Sequence, residues 1–217
     1  MTPYELMIKT NHHLIQGGEL TEPQKANIVR QLLAARVDER KRPKFFDDVI
    51  YPKFFIPPYN DGKKLKTVIP MSPKTHILSA NAYELEIIRL LYLFAPENIE
   101  VQEILTKTLA RLKVSCPGGE CCIGECFHSS LPVLRLFAVL PDETDWVKKL
   151  MIKIGKHIDD KKKCNGGTVG YYWLCLSELP IEVAETEILR YKDKMVQELN
   201  KNDPLMICVI RKALNRI

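Results

Sequence analysis

Apolar residues recur along most of this chain at the three-to-four-residue spacing of an amphipathic helix. Tyr4, Met7, Ile8, Leu14 and Ile15 share one face. They predict a first helix from Pro3 to about Ile15, stopped at Gly17-Gly18. Thr21-Glu-Pro-Gln24 reads as a capping box with proline in the first turn. The helix it opens carries Ile28, Leu32 and Ala35 on one stripe. Two later stretches are apolar almost all round, which predicts buried helices. One has the body Leu85 to Phe94, with Asn81-Ala-Tyr-Glu84 as its cap. The other is Leu131 to Leu140, with Ser129 or Ser130 as its cap and Pro132 in the first turn. Tyr171 to Leu176 is a third buried segment, its aromatic residues read as core. A proline follows each one, and then a helix with a single apolar stripe. These stripes are Val101, Ile104, Leu105 and Leu109; then Trp146, Leu150, Ile154 and Ile158; then Ile188, Tyr191, Met195 and Leu199. Asp203-Pro204 caps a final helix that uses Met206, Ile210, Ala213 and Ile217.

The prolines Pro96, Pro141 and Pro180 stand 45 and 39 residues apart. A period near 40, with one buried and one half-buried helix per unit, means stacked helical hairpins. The alternative is an irregular helical domain with chance similarity between its parts. The expected fold class is all-α: one domain, residues 1–217, of stacked antiparallel hairpins, curved or partly toroidal.

Residues 42–75 break the pattern. Six of the fourteen prolines fall there, which argues against helix. Tyr59-Asn-Asp-Gly62 is a turn signal between two extended segments, Lys53-Phe-Phe-Ile56 and Leu65-Lys-Thr-Val-Ile69. A short hairpin or ordered loop is expected, packed by Phe45, Phe46, Phe54 and Phe55 and docked on the helices.

The linkers before two buried helices, Lys113-Val-Ser-Cys-Pro-Gly-Gly119 and Lys163-Cys-Asn-Gly-Gly-Thr168, resemble the repeat of the α/α toroids, the prenyltransferase and terpenoid-cyclase class. The resemblance spans residues 76–199. It implies that a Gly-Gly loop leads into an inner helix lining a central cavity. The chain has too few hairpins for a six-hairpin ring and lacks an Asp-x-Asp-Asp run, so no catalytic residue transfers. HEAT arrays have a similar period.

The formal net charge is +5, with charged residues at 27%. That mild excess reads as a solvated surface. No arginine-rich block or aromatic-basic interleaving points to nucleic acid. No apolar run reaches the roughly 20 residues that span a membrane, and the start has no secretory pattern. The expectation is a cytoplasmic protein.

The chemistry-bearing stretch is Cys116-Pro-Gly-Gly-Glu-Cys121-Cys122-Ile-Gly-Glu-Cys126-Phe-His128, with four of the seven cysteines. In one reading, four of Cys116, Cys121, Cys122, Cys126 and His128 bind zinc, the candidate cofactor, although the common two-residue ligand spacing is missing. In a second, Cys126 or a neighbour is a reactive thiol, Cys126 lying just ahead of a helix N-terminus whose dipole, with His128 nearby, favours the thiolate; a nucleophile-and-base pair needs the two within hydrogen-bond reach. In a third, the thiols are structural. Residues 116–128 are expected to form one compact, glycine-permitted loop that gathers at least two cysteines near His128, at the N-terminal end of the 131–140 helix. His12 and His13 point about 100° apart and are not a chelating pair. If the hairpins curve, inner-helix N-termini converge on a rim carrying His76, Asn81, Tyr83, Glu84, His128 and Thr168, a candidate ligand pocket. Two function classes follow. One is an interaction module taking a protein, peptide or small molecule on its concave face. The other is an enzyme using the cysteine–histidine cluster.

Overall fold

The fold comes from a computed structural model that describes residues 1–37, 53–57, 65–71, 73–119, 123–160, 166–200 and 203–217. The described residues form nine α-helices and no strand: α1 Pro3–Ile15, α2 Glu22–Leu33, α3 His76–Phe94, α4 Ile99–Val114, α5 Gly124–Phe137, α6 Thr144–Asp160, α7 Gly166–Glu178, α8 Ile181–Glu198 and α9 Pro204–Leu214. The all-α class and the first helix are as expected. Thr2 and Thr21 each close a capping box, with Glu5 and Gln24, and proline sits in the first turn of α1 and α2. Asp203 accepts from the amides of Leu205 and Met206 and starts α9. None of these helices is long and apolar enough to cross a membrane, among the described residues.

Two starts differ from the expectation. α3 begins at His76, capped by Thr75, so Asn81 and Glu84 lie inside the helix rather than at its cap. α5 begins at Gly124, and Ser129, Ser130 and Pro132 are internal. Both errors have one cause. A polar residue ahead of an apolar run can satisfy a distant partner instead of the first turn of a helix, and sequence does not distinguish the two.

The helices α3, α5, α7 and α9 pack in succession. α1 touches both α3 and α9, so these five form a closed cycle of contacts. The even-numbered helices lie against them: α2 and α4 on α3, α6 on α5, and α8 on α7 and α9. The core follows this division. Residues 82–91 of α3 and 171–177 of α7 are buried without interruption, whereas α8 buries only Ala184, Ile188, Tyr191 and Met195.

The described parts of the proline-rich insert pack against the helices, as expected, and form no hairpin. Phe54 and Phe55 are fully buried, and Thr67, Val68 and Ile69 are buried in succession, which no alternating strand does. The Phe54 carbonyl accepts from Val37 N. The Val68 carbonyl meets His12 Nε2 at 2.9 Å. The 59–62 turn, Phe45 and Phe46 lie outside the described residues.

Candidate functional site

Side chains tie the start of α3 to α5, and α5 to the first turn of α7. Glu125, in the first turn of α5, accepts from the amides of Lys74, Thr75 and Leu78 and from the Thr75 hydroxyl. A carboxylate there complements the positive end of α3. Burial would raise the Glu125 carboxyl, but the hydrogen bonds from Thr75, Lys74 and Leu78 bring it below its usual range. His128 Nδ1 lies 3.2 Å from Thr168 Oγ1, joining α5 to α7. The Gly-Gly loop after α4 is fixed from the other side. Lys153 of α6 donates to the Gly119 carbonyl at 2.6 Å and to Ser130 Oγ at 2.8 Å. Ser130 in turn donates to the Pro117 carbonyl at 2.8 Å. Gly118 must be glycine, since a Cβ there would stand 2.0 Å from the Leu112 carbonyl oxygen.

The expected rim residues fall into two sets. His128 and Thr168 form the first. Asn81 and Glu84 form the second, around the buried guanidinium of Arg111. Glu84 Oε2 accepts from Arg111 Nη2 at 2.7 Å, and Glu84 Oε1 accepts from Phe54 N at 2.7 Å. Asn81 is at 3.5 Å from Arg111 Nη1 and also donates to the Ile77 carbonyl. Tyr83 is buried, which pushes its phenol up to about 12. Of His76, only its place as the first residue of α3 falls within the described residues.

Deeper between the helices lies a cluster of charges. Arg135 of α5 is fully buried. Its Nε and Nη2 donate to the two oxygens of Glu178 at 2.8 and 2.9 Å, a bidentate fork. Its Nη1 donates to Glu86 Oε2 at 2.6 Å and to Asn11 Oδ1 at 2.9 Å. Arg89 adds a third hydrogen bond to Glu178 at 2.9 Å, and the Tyr171 hydroxyl donates to Glu86. Helices α1, α3, α5 and α7 each supply a member. Burial would raise the Glu178 carboxyl, but the charges of Arg135 and Arg89 pull it down to about 2. Burial works against the charged form of Arg135 too, yet Glu178 and Glu86 hold it well above its usual value. Burial and the Glu86 charge push the Tyr171 phenol well up, and burial does the same to the Cys175 thiol. Glu178 and Arg135 therefore stay charged, and Tyr171 and Cys175 neutral, near neutral pH. None is poised to exchange a proton, as a general acid or base must be.

The cysteine stretch is not one loop. Cys126 and His128 belong to α5, while Cys116 is exposed on the turn after α4. Cys126 is the third residue of α5, inside its first turn rather than ahead of it. Cys121 and Cys122 lie outside the described residues. Among the described residues, no three His, Cys, Asp or Glu side chains gather as metal ligands would. His12 and His13 diverge as expected, His12 to Val68 and His13 Nε2 to the Glu19 carbonyl at 3.1 Å.

The charged cluster was missed because α3 and α5 read as apolar almost all round. The signal was there: Glu86, Arg89, Arg135 and Glu178 are isolated charges inside otherwise buried stretches. A charge carried inside must find an opposite charge, so two arginines and two carboxylates in such helices imply one another. No family model, curated protein or solved structure matches the chain.

Proposed function

We propose that this chain is a helical-repeat interaction module, of the partial-toroid or HEAT kind, that binds a protein or peptide on its helix surfaces. The supporting observation is the pairing of Arg135 with Glu86 and Glu178, at side-chain exposures of 0%, 2% and 7%. In the α/α toroids that the Gly-Gly loops resemble, inner helices line a cavity. Here the meeting point of α1, α3, α5 and α7 is filled with side chains that neutralise one another. Such a centre holds the helices in register and leaves recognition to the outside, where stacked hairpins offer extended surfaces.

Display selection of peptides against the whole chain, followed by hydrogen-exchange mapping, tests this reading. The expected result is saturable binding with protection on helix surfaces and no chemical change in the peptide. Turnover of a bound compound that disappears in Cys126→Ser would contradict it.

That second outcome belongs to an enzyme reading, which one observation favours. Cys126 sits in the first turn of α5, where the helix dipole favours a thiolate, and His128 two residues on meets Thr168. Zinc held by Cys126, His128 and the neighbouring cysteines is part of that reading, and elemental analysis of the purified protein tests it.

A further inference from the structure

The four lysines of α6 divide into two kinds. Lys153 is engaged by Gly119, Pro117 and Ser130. Lys149 lies over the Trp146 ring, 5.4 Å from its centroid. Lys148 and Lys156 have neither a hydrogen bond nor an ion pair among the described residues. Both line the same groove of about 510 Å³ between α6 and α8. Met151 and Val183 form its apolar floor, and Ile152 stands 73% exposed. Lys148, Ile152 and Lys156 are at i, i+4 and i+8, so they form one stripe along α6, about 12 Å from first to last.

The far end of the groove is closed by a latch. Arg190 of α8 pairs with Asp159 of α6 and, at 2.9 Å, with Glu187. Glu187 also accepts from the Tyr172 hydroxyl at 3.0 Å. A Cβ at position 155 would lie 3.1 Å from Glu187 Oε2, so Gly155 lets the latch settle against the α6 backbone. The latch carboxylates are thus already engaged by Arg190, and the two lysines stand without an ion pair among the described residues, on either side of exposed Ile152.

We propose that the α6–α8 groove docks an acidic amphipathic helix of a partner protein, with two carboxylates over Lys148 and Lys156 and an apolar side chain against Ile152. Charge complementarity selects this occupant. A partner carrying Glu, Leu and Glu at i, i+4 and i+8 presents the same 12 Å stripe with opposite charge, and helix-in-groove docking reads such spacing. The pairs are at the surface, so binding weakens as salt rises. This proposal rests on the interaction-module reading and names its partner class.

The test uses a stapled, fluorescein-labelled helical peptide about 20 residues long, since short helices are marginal in water. It carries the Glu-Leu-Glu stripe, and fluorescence anisotropy is measured against the whole chain. Saturable binding is expected. Lys148→Glu/Lys156→Glu should weaken it at least tenfold, and so should Ile152→Asp. Lys192→Glu/Lys194→Glu changes net charge equally but lies outside the groove, and should change affinity less than threefold. A peptide with its glutamates moved off the stripe should bind at least tenfold more weakly. Equal loss in both double variants means attraction to net charge alone and overturns the proposal. Absence of binding also overturns it. If display-selected peptides still bind elsewhere, only the groove is lost. If no peptide binds and a compound is turned over, the module reading falls with it.

Discussion

Arg135 and Arg190 each meet two carboxylates, in opposite surroundings. Arg135 holds Glu86 and Glu178 between the helices, at side-chain exposures of 0–7%. Arg190 holds Asp159 and Glu187 at the edge of the α6–α8 groove, at exposures of 38%, 43% and 18%. Water screens the second set and competes for it, and such surface pairs contribute about 0–1 kcal/mol. The first set has given up its hydration and depends on its own geometry. The lesson is about dependence rather than strength. A buried pair need not stabilise more than apolar packing would, but once built, none of its members can be removed alone.

The largest expected effect is therefore Arg135→Met. Among the described residues it leaves buried Glu86 without an ion partner and Glu178 with Arg89 alone, and should cost about 3–5 kcal/mol, read as a lower urea midpoint. Next comes acid. Glu178 has its carboxyl depressed from 4.5 to about 2, so its contribution is present above pH 4.5 and is lost as pH falls toward 2. That contribution is on the order of 3 kcal/mol. Stability measured from pH 5 down to about pH 2 should fall more steeply in the native chain than in Glu178→Gln. Glu125→Ala is expected to cost about 1–2 kcal/mol through the start of α3, with faster amide exchange at Thr75 and Leu78. Arg190→Met should be smallest, below about 1 kcal/mol by the same urea titration.

The helical class and much of the order of elements were legible from period and punctuation. The shared apolar face and the Gly17-Gly18 stop placed α1, the Thr21 capping box placed α2 and Asp203-Pro204 placed α9, and Pro96, Pro141 and Pro180 each stand between one of α3, α5 and α7 and the helix that follows it. Where polar residues served tertiary contacts, the reading failed. Asn81 binds Arg111 and Ser130 binds Lys153, although both looked like caps. Thr67, Val68 and Ile69 are all buried, so a strand period never applied there. Of the candidate site, His128 and Thr168 stand 3.2 Å apart, joining α5 to α7. The charged centre was not legible, because no local period encodes a contact such as Arg135 to Asn11, 124 residues apart.

A double-mutant cycle compares the two arginine clusters most directly. Arg135→Met with Glu178→Gln and, separately, Arg190→Met with Asp159→Asn are each measured by urea unfolding as singles and as the pair. Coupling of about 2 kcal/mol or more is predicted inside, and below about 0.5 kcal/mol at the groove edge. Equal couplings, or an interior that loses Arg135 without cost, would contradict the claim that the paired centre holds the helices together.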